Sequence, residues 1–82
     1  MIEASVPHVL PDPEAVLSPR ELEVLELTSR GLTNQTIAAQ LGVTIHAIKF
    51  HLAAIYRKLG VANRTEAVVR LVDAQRTRRP IL

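Results

Sequence analysis

Residues 33–59 read TNQTIAAQLGVTIHAIKFHLAAIYRKL, and their spacing predicts two helices joined by a tight turn. The turn is Gly42-Val43-Thr44. A glycine takes the left-handed backbone that ends a helix at no steric cost, and a threonine caps the helix that follows. Ala38 lies one helical turn before Gly42, and Ile48 lies six residues after it. A small residue, a turn glycine and a branched apolar residue at these spacings let two helices cross at close range, which is the skeleton of a helix-turn-helix. On a wheel of about 100° per residue, Ile48, Leu52, Ile55 and Leu59 form one narrow stripe for the core. His46, Phe50, Ala53 and Arg57 fall on the other side, with Lys49 on the flank. A helix with one aliphatic face and an outer face offering a basic residue, an aromatic and small side chains is suited to a DNA major groove.

The rest of the chain supports that pair. Its 82 residues make one domain with a modest core. Apolar residues are 48% of the composition and aromatics only 2%, which fits a compact aliphatic helical bundle. With no cysteine there is no disulfide and no thiolate metal site. His8, His46 and His51 have no ligand spacing with acids, so no metal or cofactor is expected. No apolar run approaches a membrane span and the N-terminus does not read as a secretory signal, so a cytoplasmic protein is expected. The formal net charge is only +2, but its distribution is uneven. No acid occurs between Glu26 and Glu66, an interval that holds Arg30, Lys49, Arg57, Lys58 and Arg64. A surface without carboxylates is what a polyanion needs.

In chain order, residues 1–16 read as a flexible linker or tail, because Pro7, Pro11 and Pro13 disfavour a regular helix. The folded domain is expected over 17–75. Ser18, Pro19 and Glu21 make a capping box with proline at the first helical position, and Leu17 and Leu22 are spaced for a hydrophobic staple. The helix continues with Leu22, Leu25 and Thr28 or Ser29 inward, and Gly31 ends it. Glu21, Glu23 and Glu26 are expected on solvated positions. The second helix runs from a Thr33 cap to about Leu41, with Ile37, Ala38 and Leu41 inward. Asn34, Gln35 and Thr36 are polar and uncharged; they either bond phosphate or simply solvate an exposed turn. The third helix, from Thr44 or Ile45 to Leu59, ends at Gly60. Arg57 and Lys58 in its last turn also suit the helix dipole. A second box, Asn63 to Glu66, opens a fourth helix whose Ala67, Val68, Val69, Leu71 and Val72 cover much of its circumference with apolar surface. Residues 76–82 are expected to be a frayed basic tail, with Arg76, Arg78 and Arg79 touching phosphate or nothing.

These elements recur together in a known pattern. Leu-Ser-Pro-Arg-Glu at 17–21, Gly31-Leu32-Thr33-Asn34, Ile37-Ala38, Leu41-Gly42-Val43, Ile48-Lys49 with His51, Lys58-Leu59-Gly60-Val61 and Asn63-Arg64-Thr65-Glu66-Ala67 closely resemble the LuxR/GerE-type DNA-binding domain, the effector half of NarL-type response regulators and of quorum-sensing regulators. The resemblance runs from Leu17 to about Leu71. It implies an all-α, four-helix domain around a central helix-turn-helix, a transcription regulator binding double-stranded DNA with the third helix in the major groove, and a homodimer on DNA to which the fourth helix contributes through Val68, Leu71 and Val72. It also implies an upstream regulatory domain outside this chain. By position the family's base-reading or backbone-contacting residues fall on Lys49, Phe50 and Ala53. Thr33, Asn34, Gln35, Thr44, His46, Arg57, Lys58 and Arg64 complete the expected DNA contacts.

Departures from the family pattern matter. Ile45 stands where the family is often acidic or polar, Ala47 where a threonine is common, and Gln35-Thr36 where a Lys-Glu pair is frequent. Ala53 stands where some members carry lysine. Together they imply weaker charge-driven binding than in a typical member. Three readings of Phe50 are open: contact with a thymine methyl, partial burial against the second helix, or contact with a regulatory domain. A protein-interaction module docking on RNA polymerase or another regulator is the competing function. An enzyme is disfavoured, since there is no phosphate loop, nucleophile–base pair or metal cluster.

Overall fold

The computed structural model describes residues 11–78, all of it helix and connecting turn. Five helices follow in order: α1 (Pro13–Val16), α2 (Pro19–Ser29), α3 (Asn34–Leu41), α4 (Ile45–Leu59) and α5 (Arg64–Arg78). Four of them are the expected helices.

The start of each expected helix is set by its cap. Ser18 Oγ accepts from the Glu21 amide at 3.1 Å, and Glu21 Oε1 accepts from the Ser18 amide at 2.9 Å, closing the box. Thr33 Oγ1 accepts from the Thr36 amide and Thr44 Oγ1 from the Ala47 amide. Ahead of α5 the box is displaced by one residue: Asn63 Oδ1 accepts from the Glu66 amide as expected, but the Glu66 carboxylate reaches the amide of Ala62. Gly31, just past the end of α2, is left-handed at φ +85°, and two helices use such a glycine as the cap itself, Gly42 at φ +69° and Gly60 at φ +70°. In each, the amide of the residue after the glycine bonds back to the carbonyl five residues earlier, Val43 to Ala38 and Val61 to Tyr56, both at 3.0 Å. Val43 and Val61 then lie against the core and seal these turns.

α4 is central. Ile48, Leu52, Ile55 and Leu59 are all buried, with Ile48, Ile55 and Leu59 wholly inaccessible. They meet Val24 and Leu25 from α2, Ile37 and Ala38 from α3, Ala67 and Leu71 from α5, and Leu17. α2 packs on both α4 and α5, and α3 packs chiefly on α4. The chain turns by 108° between α3 and α4, within the range of a helix-turn-helix. Among the described residues no single helix is long and apolar enough to cross a membrane.

The structure differs from expectation at both ends of the domain. The proline-rich lead-in is not wholly irregular, because Asp12 caps Glu14 and Pro13 occupies the first position of α1, where its missing N–H is no loss. Pro13 is buried and the turn packs on α4 and α5. The remainder of the expected linker, residues 1–10 with His8, lies outside the described residues. At the other end α5 continues through Arg76 to Arg78 without fraying, since no breaker precedes Pro80. Arg79 lies outside the described residues. Within α2 the inward choice falls on Thr28, whose hydroxyl donates to the Val24 carbonyl at 2.8 Å, while Ser29 is half-buried.

The burial pattern separates two kinds of substitution. Ile55→Ala leaves a cavity at the centre of the core and is expected to cost about 2–5 kcal/mol, a large part of the roughly 5–15 kcal/mol available to a small domain. Phe50→Ala, on the same helix but outside, is expected to change stability by less than about 0.5 kcal/mol. Urea unfolding followed by circular dichroism measures both.

Candidate nucleic-acid interface

With its aliphatic stripe inward, α4 turns His46, Lys49, Phe50, Ala53 and Arg57 to solvent. Phe50 is 74% exposed, which excludes its burial against α3. Its ring stands edge-on to His51, with centroids 6.3 Å apart and planes at 66°, and His51 itself is half-buried at the border of the core stripe. Lys49 and Arg57 have no carboxylate partner among the described residues. Ile45 adds a further exposed apolar side chain at the start of the helix.

The beginning of α3 adds short polar groups beside this helix. Thr33, Gln35 and Thr36 are exposed and Asn34 is half-buried. The Thr33 hydroxyl serves the cap and also donates to Thr36 Oγ1 at 3.0 Å. Thr44 is likewise a cap, with its oxygen accepting from Ala47. Across α3, the turn and α4 there is no acidic side chain, so the field at this surface is positive wherever it is charged.

Two of the basic residues expected to contact DNA also have partners on the protein. Lys58 Nζ donates to both oxygens of Glu21, at 2.8 and 3.1 Å. Glu21 was expected on a solvated position; it is 7% exposed, because the last turn of α4 crosses the start of α2 there. Burial pushes its carboxyl up. Against that, the hydrogen bond from Lys58, the Ser18 amide, the charge of Lys58 and the Ser18 hydroxyl pull it down, and the net position is below the ordinary value of 4.5. Arg64 is half-buried and donates through Nη1 to Asn34 Oδ1 at 2.9 Å and through Nη2 to the Leu32 carbonyl. It thereby joins the start of α5 to the start of α3. Neither partner was visible as a local pattern.

On α5 the expected dimer residues divide. Leu71 is 1% exposed and belongs to the core, so it offers no surface to a partner. Val68 is half-buried, Val72 is 39% exposed, and Val69, not among the expected contacts, is 51% exposed. The face that remains open is thus Val68, Val69 and Val72. No group of histidines and acids among the described residues could hold a metal ion.

Comparison with known proteins places this arrangement. Residues 15–71 match the family described as bacterial regulatory proteins, luxR family. A probable transcriptional regulatory protein, SgaR of Hyphomicrobium methylovorum, is 43% identical over 65 residues, covering 79% of this chain and 31% of that protein. The transcriptional regulatory protein LiaR of Bacillus subtilis is 44% identical over 57 residues, 70% of this chain and 27% of LiaR. Among solved structures, the response regulator ChrA of a heme-sensing two-component system superposes with a TM-score of 0.69 at 38% identity, over 88% of this chain and 33% of that one. The chain therefore spans about a third or less of the length of these relatives.

The Glu21–Lys58 pair predicts a pH dependence of stability. A carboxyl whose pKa is lower when folded contributes stability that is fully present above its unfolded value and disappears as pH falls through the folded value. The stability difference between the parent and Glu21→Gln is therefore expected to be largest near neutrality and to shrink below pH 4.5. Urea titrations at stepped pH measure it; a difference that stays constant down to strong acid would show that the carboxylate charge contributes nothing.

Proposed function

The chain belongs to the luxR family of bacterial regulatory proteins, and we propose that it regulates transcription by laying α4 in the major groove of double-stranded DNA. One observation carries this reading: the outer face of α4, His46 to Arg57, is exposed along its length while the opposite stripe is sealed in the core. A rigid helix whose inner side is fixed by packing presents its outer side in one orientation, as base readout requires.

The roles follow from chemistry. Lys49 is the donor for a guanine edge or a neighbouring phosphate. Phe50, with its face open, packs on a thymine methyl, which projects into the same groove. Ala53 allows close approach of the helix. Arg57 meets the backbone, and His46 flanks the reading face. Thr33, Asn34, Gln35 and Thr44 face the phosphates at the start of the two helices. Lys58 and Arg64 serve the fold and act on DNA only through it. On a two-fold site, Val68, Val69 and Val72 of α5 meet their counterparts in a second copy. An upstream regulatory domain, as the length of the relatives allows, would control that pairing.

Selection from random duplexes supplies a binding site, and fluorescence anisotropy on that site tests the reading. Lys49→Ala is expected to weaken binding about tenfold or more, and to flatten the slope of log K against log salt by about one if the contact is to phosphate. Equal affinity of Lys49→Ala and the parent at moderate salt would remove α4 from the groove. The free chain is expected to sediment as a monomer and to pair only on a two-fold duplex; a tight dimer without DNA would overturn that assembly.

A further inference from the structure

Arg64 sits where helix electrostatics argue against it. It is the first residue of α5, next to the positive end of the helix dipole, a position that favours acids. The contacts described above account for it: one guanidinium nitrogen on Asn34 Oδ1 and the other on the Leu32 carbonyl. These acceptors flank Thr33, the cap of α3. The guanidinium therefore fixes both the chain leading into α3 and the side chain of its first residue.

The effect on Asn34 is chemical as well as geometric. A guanidinium has only donors, so the amide of Asn34 must turn its oxygen toward Arg64. Its NH2 group is then directed elsewhere, and no acceptor among the described residues takes it up. An amide free in solution presents donor or acceptor with equal ease; this one presents its donors. Gln35, exposed and without such a partner, has no comparable restriction.

We propose that Arg64 is a positioning residue for DNA binding: it does not touch DNA, and by holding the oxygen of Asn34 it sets the amide as a one-sense hydrogen-bond donor to a backbone phosphate. The proposal rests on the DNA-binding reading above. It differs from a direct Arg64–phosphate contact in what it does to salt dependence. A neutral amide displaces no counterion, whereas a cation on phosphate does.

The test compares the whole chain with Arg64→Gln, Arg64→Lys, Asn34→Ala and the Arg64→Gln/Asn34→Ala double variant. The probe is the duplex enriched from a random pool, titrated at several salt concentrations. Asn34→Ala and Arg64→Gln are each expected to weaken binding by about three- to tenfold, with the salt slope unchanged. The double variant is expected to be no weaker than the worse single one, since both remove the same contact. Arg64→Lys keeps the charge but cannot bridge both acceptors, so it is expected not to restore affinity. A slope flattened by about one in Arg64→Gln, or full rescue by lysine, would show Arg64 acting on phosphate directly and overturn the proposal. So would unchanged affinity in a folded Arg64→Gln, which would make the contact purely structural. If Arg64→Gln is unfolded by circular dichroism, Asn34→Ala and Arg64→Lys carry the same comparison. Failure of the parent to enrich any duplex would instead sink the DNA-binding reading itself.

Discussion

The orientation of α4 follows from the burial of Ile48, Leu52, Ile55 and Leu59, and most else in the domain depends on it. Each such side chain contributes about 1.5–3 kcal/mol when removed from water. Rotating the helix to expose all four would cost roughly 6–12 kcal/mol, comparable to the whole net stability of a small domain. No surface interaction competes with that. The outward placement of His46, Lys49, Phe50, Ala53 and Arg57 is therefore a consequence of the core. α2, α3 and α5 each supply apolar groups to the same seam, so every other helix in the expected set is referenced to α4.

The ends of α4 are fixed as firmly as its face. Thr44 closes its start, and Gly60 with Val61 closes its finish. The Glu21–Lys58 pair then ties the last turn to the capping box of α2, so that one carboxylate serves Ser18 and Lys58 together. Removing either partner leaves the other charge partly out of water, so breaking the pair costs stability even where replacing both partners would not. These end contacts fix where α4 starts and stops, while the buried stripe fixes which face it turns outward.

What could be read from the sequence was local. Helical spacing gave the stripe on α4, and the caps at Ser18, Thr33, Thr44 and Asn63 with the glycines at 31, 42 and 60 marked where helices stop and start, because these signals act within a few residues. The same wheel set Phe50 away from the core stripe but left its burial against α3 open, which only the packing decides. The partners of long side chains could not be read this way. Lys58 and Glu21 are 37 residues apart, and Arg64 and Asn34 are 30 apart. Which charge meets which is decided by how the helices cross. Leu71 was misplaced for a related reason: the start of α5 is apolar over much of its girth, and the packing of α2 and α4 decides which strip turns inward. The helical turn at Pro13 did have a local signal, Asp12 before a proline, which was outweighed by the prolines around it.

Counting basic residues overstates the charge this domain can direct at a polyanion. Of the five cations in the acid-free interval, Lys58 and Arg64 are engaged by Glu21, Asn34 and the Leu32 carbonyl, which leaves Arg30 past the end of α2 and, on the outer face of α4, Lys49 and Arg57. If α4 lies in the groove, each of its cations placed on phosphate adds about 0.9 to the salt slope, so a single copy is expected to show a shallow salt dependence. In the proposed docking, the exposed ring of Phe50 and the small side chain of Ala53 on the same side weight recognition further toward fit within the groove. On the proposed function, a weakly charged reader of this kind gains usable affinity when two copies are joined on one duplex, since the second contact is then made at high effective concentration. The open valines of α5, outside the core but beside it, are placed on the element with the surface left to make that connection.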